Sequence, residues 1–274
     1  MPDRKALLSS TEMARFVSAG FLRFDGLVPD AVNKAAIAEL EAGFDRVPAG
    51  TPLPRAYPAD SVVNQILAMP QVQGAIHSLV GPDPLVDHHA IHIRQPHGGE
   101  AQHLHADAII DPRTVFDVQL MYYPHEVTLD MGGTLVVPGS HLRRINETDI
   151  GRYQNLVGQV PLVCPAGTVL ILHHGIWHCG RRNDTDRVRY MFKIRLNPTV
   201  RQVRLWNTDD LDDPAVAAEL RQTFPWYENA TGRLEITNRS RLWRFLTGDE
   251  SYDTDYWLTR VENAPTRIAP AVSA

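Results

Sequence analysis

The chain has 274 residues, 43% hydrophobic and 22% charged, an ordinary globular composition with enough sequence to bury one large core. Its net charge of -5 comes without the basic surface or stripe that phosphate contacts require, so no nucleic-acid partner is expected. No apolar run approaches the roughly 18 residues of a membrane span, and Met1 to Leu8 does not read as a signal peptide. Two cysteines, Cys164 and Cys179, suit a reducing compartment better than a disulfide scaffold, so a cytoplasmic location is expected.

Ser9-Ser10-Thr11-Glu12 reads as a capping box, with Met13, Phe16 and Val17 at helical spacing behind it and Gly20 as the stop. Phe21 to Phe24 is strand-like. After Pro29-Asp30, the residues Val32, Ala36, Leu40 and Phe44 recur every four positions and predict a second helix. The stretch 48–60 holds four prolines and reads as a loop; Ser61 to Val80 predicts one or two short helices. From Leu85 the texture changes to short β-type runs between turn residues. These predict strands Val86 to Arg94, Val115 to Tyr123, Thr134 to Val137, Val160 to Val163, Val169 to Leu172 and Val188 to Leu196, broken at Gly98-Gly99, Gly132-Gly133, Pro138-Gly139 and Pro165-Ala166-Gly167. Ile145 to Asn155 is a helix or a long loop. Beyond Pro198 a helix is predicted from Pro214 to Phe224, and Trp226, Trp243 and Trp257 fall in the tail. So many large aromatics predict that the tail docks on the core or on a partner subunit of a homo-oligomer. The expected fold is mainly β with flanking helices, a double-stranded β-helix of jelly-roll, cupin-like type. It forms one domain, with an N-terminal helical segment (1–84), a jelly-roll core (85–197) and a helical, aromatic extension (198–274).

The chemistry concentrates in two places. His105 and Asp107 stand two apart, so on a strand both point to one face and both can bind one metal. Downstream lies His178-x4-Asn183-x5-Arg189. Two imidazoles and one carboxylate on one face, with other positions open, is the arrangement of non-haem Fe(II) oxygenases. A His-x-Asp by itself says little, because 12 histidines yield roughly one by chance, and its plain reading is a surface pair. Arg189 sits inside the alternation Val188, Tyr190, Phe192, Ile194 and therefore faces the other way, with Met191. An arginine pointing into a barrel is costly unless an anion meets it. A keto-diacid would supply that anion through a bidentate pair, and an internal Asp or Glu is the alternative. Gln119 lies on the strand face of Asp117 and Met121, where its amide can donate to the keto-acid's other carboxylate. His103, His173 and His174 are read as packing residues or as hydrogen-bond partners of the ligands.

Four stretches together resemble the phytanoyl-CoA dioxygenase family of 2-oxoglutarate-dependent oxygenases. They are Phe16-x3-Gly20-Phe21, His105-Ala106-Asp107, Gly132 to His141 with its Pro-Gly-Ser-His turn, and His178-x4-Asn183-x5-Arg189. The resemblance spans about residues 10 to 197. It implies that His105, Asp107 and His178 bind Fe(II), that Arg189 grips the distal carboxylate of 2-oxoglutarate, and that Asn183 and the Pro138 to His141 turn are structural. It further implies consumption of O2 and hydroxylation of a small-molecule substrate with release of succinate and CO2. One position departs: members often carry a hydroxyl residue two places after the distal histidine, and here Gly180 stands there. A rival reading is a non-catalytic jelly-roll module with a structural metal, although structural zinc prefers four ligands rich in cysteine.

Overall fold

The Ser9 capping box forms as read. Helix α1 (Ser10–Ala19) begins where the Ser9 hydroxyl accepts from the Glu12 amide and the Glu12 carboxylate accepts from the Ser9 amide, and it ends at Gly20 in the left-handed region, φ 85°. Strand β1 (Phe21–Phe24) and helix α2 (Asp30–Ala42) follow. Ser61 to Val80 resolves into two helices, α3 (Val62–Leu67) and α4 (Pro70–Val80), because Pro70 suits the first turn of a new helix and no position inside an old one. These elements belong to a computed structural model that describes residues 3–108, 110–143, 150, 155–228 and 232–253.

The loop expected over 48–60 contains a short edge strand, β2 (Thr51–Pro52), which pairs with Leu85 and Val86. Proline tolerates an edge position, and two residues leave no alternation to read. The remaining strands are β3 (Leu85–Arg94), β4 (Val118–Tyr123), β5 (Thr134–Val136), β6 (Val160–Pro161), β7 (Thr168–His173), β8 (His178–Gly180) and β9 (Arg189–Asn197). Each predicted strand is present. The expected start of β4 at Val115 moves to Val118, and Val115 is exposed. β8 was not anticipated, since it is only three residues long.

All pairings between these strands are antiparallel. The major sheet has the order β1-β7-β4-β9-β3-β2 and the minor sheet β6-β5-β8. Alternation sorts the side chains. Val118, Leu120, Tyr122, Val169, Ile171, Phe192 and Ile194 face the helices and join Met13, Phe16 and Leu40 in the largest apolar cluster. Met121, Tyr123, Leu170, Leu172 and Met191 face the minor sheet and meet Val136 and Leu162 between the sheets. This is the double-stranded β-helix with flanking helices. One expectation is corrected: His105 and Asp107 do not share a regular strand. His105 makes an isolated bridge to His178, and Asp107 follows in a bend.

The C-terminal extension adds helix α5 (Pro214–Leu220), shorter than predicted, and helix α6 (Gly232–Thr247), which the sequence did not announce. α6 is rich in arginine and is held by tertiary contacts: Asn238 Nδ2 donates to the Leu142 carbonyl at 2.8 Å, and Arg239 to the Leu220 carbonyl at 2.9 Å. Trp226 packs on Trp177 with ring centroids 5.4 Å apart and donates to the Pro138 carbonyl at 2.7 Å; Trp243 packs on Trp206. The tail aromatics among the described residues therefore dock on the chain's own core. Trp257 and most of Ile145 to Asn155 lie outside the described residues.

Candidate metal centre

His105 and His178 form a directly opposed antiparallel pair: each amide donates to the other's carbonyl, at 3.0 and 2.8 Å. Opposed residues put their side chains on one face, and the two imidazole centroids lie 4.6 Å apart. The bend after Ala106 turns Asp107 back toward them, so that one donor atom from each of His105, Asp107 and His178 lies within 4.8 Å of the others. The Asp107 oxygens stand 3.6 Å from His105 Nε2 and 3.6 Å from His178 Nε2.

Tautomers follow from the backbone. His105 Nδ1 meets the His103 carbonyl at 2.8 Å and His178 Nδ1 meets the Ile176 carbonyl at 3.0 Å. A carbonyl only accepts, so each Nδ1 carries the proton and each Nε2 keeps its lone pair toward Asp107. Burial, followed by the opposing effects of Asp107 and His105, pushes the His178 pKa down to about 4. Burial by itself would raise Asp107, but the polar surroundings supplied by His105, His178 and the Lys193 ammonium hold it well below the usual carboxylate range. An ionised Asp107 and a neutral His178 at neutral pH suit a divalent iron.

Arg189 lies on β9 facing the same interior, 5% exposed. It donates to the Met131 carbonyl at 2.7 Å, to the Gly132 carbonyl, and to the Arg181 carbonyl at 3.1 Å. Among the described residues it has no carboxylate partner, so the internal ion pair weighed from sequence is absent. Arg189, His105 and His178 line one small cavity with His92, Arg94, Lys193, Tyr123 and Thr134. Tyr123 and Thr134 share a hydroxyl hydrogen bond of 2.6 Å there.

Gln119 is 1% exposed on the inner face of β4, paired across the sheet with Arg195, and both atoms of its amide lack a hydrogen-bond partner. It is not among the residues lining that cavity; it stands one pair beyond Met121 and Lys193, on the side away from Arg189. His174 Nδ1 contacts Asp117 at 2.9 Å and its Nε2 accepts from Arg195 at 2.9 Å, so it links Asp117 to Arg195 behind the metal ligands. His173 is packed among Phe16, Phe116 and His141. The His103 side chain is exposed and serves the site through its carbonyl alone. Asn183 donates to the carbonyls of Arg94, Gln95 and Arg187, tying the loop before Arg189 to β3. At Gly180 a Cβ would come within 2.8 Å of Gln102 Oε1, which accepts from the Gly180 amide. Gln102 thus fills the place of a side chain at 180.

Lys193, His92 and Arg94 were missed by sequence reading. Lys193 Nζ lies 3.5 Å from Asp107 Oδ2. Its signal was present, four residues beyond Arg189 on one strand and therefore on the same face.

Comparison with known proteins follows the same line. A model of the family described as phytanoyl-CoA dioxygenase matches residues 16–191. An uncharacterized protein of Mycobacterium tuberculosis and one of Mycobacterium bovis are each 27% identical over 126 residues, 44% of this chain and 44% of theirs. The match thus spans less than half the length of these curated relatives. Among solved structures, the α-ketoglutarate-dependent carbocyclase SnoK of nogalamycin biosynthesis is 19% identical with a TM-score of 0.54, covering 77% of this chain and 91% of its own. HygX of Streptomyces hygroscopicus, with nickel and 2-oxoglutarate bound, is 18% identical with a TM-score of 0.54, covering 70% and 88%. The epimerase SnoN is 18% identical with a TM-score of 0.53, covering 69% and 83%. At these identities the likeness establishes the fold. No helix among the described residues is long and apolar enough to cross a membrane.

Proposed function

The chain belongs to the phytanoyl-CoA dioxygenase family, and from that premise we propose an Fe(II)- and 2-oxoglutarate-dependent dioxygenase that hydroxylates a small-molecule or secondary-metabolite substrate, releasing succinate and CO2. Fe(II), 2-oxoglutarate and O2 are the cofactor and co-substrates of that family. The observation that carries the reading is the convergence of His105, Asp107 and His178 within 4.8 Å, with both Nδ1 atoms pinned by carbonyls. Three protein donors would hold the iron and leave it accessible to co-substrate and oxygen. Iron bound there supplies the one-electron oxygen chemistry that no side chain of this chain provides.

The chain's own residues hold and orient. The backbone pair between His105 and His178 fixes the ligand separation, and Lys193 steadies Asp107. Arg189, held by three carbonyls and lacking a carboxylate partner among the described residues, takes the distal carboxylate of 2-oxoglutarate. Gln119, buried with its amide unpartnered, is assigned to the carboxylate beside the metal.

The test adds Fe(II) and 2-oxoglutarate to the protein without oxygen and looks for a visible metal-to-keto-acid charge-transfer band. His105→Ala, Asp107→Ala and His178→Ala should each abolish it. Retention of band and succinate formation in all three variants would sink the proposed centre. A library screen for succinate release, followed by mass spectrometry, tests the outcome. A product gaining one oxygen supports hydroxylation, while loss of two hydrogens or ring closure reassigns it.

A further inference from the structure

The two imidazoles of the proposed centre stand on little regular backbone. β8 is a three-residue strand at the edge of the minor sheet. Among the described residues, the segment carrying His105 joins it through an isolated bridge with two hydrogen bonds to His178, and through the Gln102 amide, which donates to the Gly180 carbonyl at 2.8 Å. So short a ladder leaves the spacing of the ligands to packing on the face behind them. Alternation decides what that face is. The neighbours of the two ligands, Leu104 and Ala106 beside His105 and Trp177 and Cys179 beside His178, gather on it in one apolar cluster with Leu135 and Val137.

The C-terminal extension closes that cluster. Trp226 is buried in it, its ring centroid 5.4 Å from that of Trp177. Its indole N–H donates to the Pro138 carbonyl at 2.7 Å, and the Val137 amide donates to the Trp177 carbonyl at 2.9 Å, so the ring is tied to the same backbone that holds His178. The Arg143 guanidinium lies over the Trp226 ring, 4.7 Å from its centroid, and the Tyr227 ring meets it edge-on. Trp226 lies beyond residues 16–191, the stretch that the family model matches. Resting on the metal centre proposed above, we infer that Trp226 is a positioning residue for it. The indole backs Trp177 and, through the shared cluster, Leu104 and Ala106, and so holds His178 and His105 at the spacing that one metal ion needs. Removing the ring leaves a void against Trp177 into which the backbone relaxes, and ligands that lose their spacing bind metal less tightly.

The experiment uses the full chain and reads metal affinity apart from stability. Fe(II) is titrated without oxygen into wild type, Trp226→Leu and Trp226→Phe, by calorimetry alone and by the visible band with 2-oxoglutarate saturating for each variant. Melting temperatures are taken without metal. Trp243→Leu and Trp243→Phe are the controls, because Trp243 is buried in the same extension against Trp206 but belongs to the helical cluster. Trp226→Leu should bind Fe(II) roughly tenfold more weakly. Trp226→Phe keeps a smaller ring against Trp177 and loses the bond to Pro138, and should fall between, about threefold below wild type. Both Trp243 variants should melt at lower temperature with unchanged Fe(II) affinity, and where a Leu variant does not fold the Phe pair decides. Equal affinity in wild type and the folded Trp226 variants, or an equal loss in the matching Trp243 variants, overturns this inference alone. A wild type that binds no Fe(II) removes the proposed centre and this inference with it.

Discussion

Replacing Arg189 by alanine separates the structural role of the side chain from the co-substrate role proposed for it. The guanidinium is 5% exposed and spends donors on the carbonyls of Met131, Gly132 and Arg181. Loss of a bidentate, charge-assisted contact to a buried carboxylate costs about 2 to 5 kcal/mol, or roughly one to four decades in 2-oxoglutarate affinity. The three carbonyls lose a donor as well, at about 1 kcal/mol each where water does not replace it. Stability should therefore fall by roughly 2 to 3 kcal/mol, independently of co-substrate. Iron binding should survive, because Arg189 is not among the three donors. Arg189→Lys should recover part of the affinity, since one ammonium cannot reproduce the planar fork. The assay titrates 2-oxoglutarate anaerobically into Fe-loaded wild type and both variants, after circular dichroism has shown each to be folded. An unchanged dissociation constant in folded Arg189→Ala protein would make Arg189 a purely structural residue and remove the assignment of its anion.

Gly139 has φ 76°, and a Cβ there would collide with the Tyr227 hydroxyl and the Phe224 ring; Gly139→Ala should cost about 2 to 4 kcal/mol, read as a fall of roughly 5 to 10 °C in Tm. His173 should make stability pH-dependent. Burial, against the opposing charge of Asp117, pushes its pKa from the ordinary 6.5 down to about 3. A histidine with a depressed folded pKa stabilises fully above 6.5 and loses that contribution as pH falls toward 3, because the unfolded chain takes up the proton first; the slope is about 1.4 kcal/mol per pH unit in that window. Chemical denaturation at several pH values checks it, and His173→Gln should flatten the curve; an identical slope in the variant would exclude His173 as the source. Truncation after Asn197 should give an aggregating or dye-binding protein, because it uncovers the Trp177 face on which Trp226 packs and removes Trp243 from the helical core. Light scattering decides this, and a folded monomer from the truncated chain would contradict the docking described.

What the sequence determined was local or periodic. Ser9 and Glu12 wrote the start of α1, Gly20 its end, and alternation from Val188 placed Arg189 on the face opposite Phe192 and Ile194. Resemblance to a family named His105, Asp107, His178 and Arg189 together. Elements lacking a period stayed hidden: the two-residue β2, the three-residue β8, and α6, whose burial of Arg239 and Asn238 depends on distant carbonyls. Only the tertiary structure decided what meets what. His105 and His178 became an opposed backbone pair through a single bridge outside regular pairing, and Asp107 reached them by a bend rather than by strand geometry. The strand order β4-β9-β3 set Arg94 against Arg189 and brought Lys193 to Asp107. Such contacts join segments distant in the chain, and their energy comes from burial and unpaired charge, which no local spacing records.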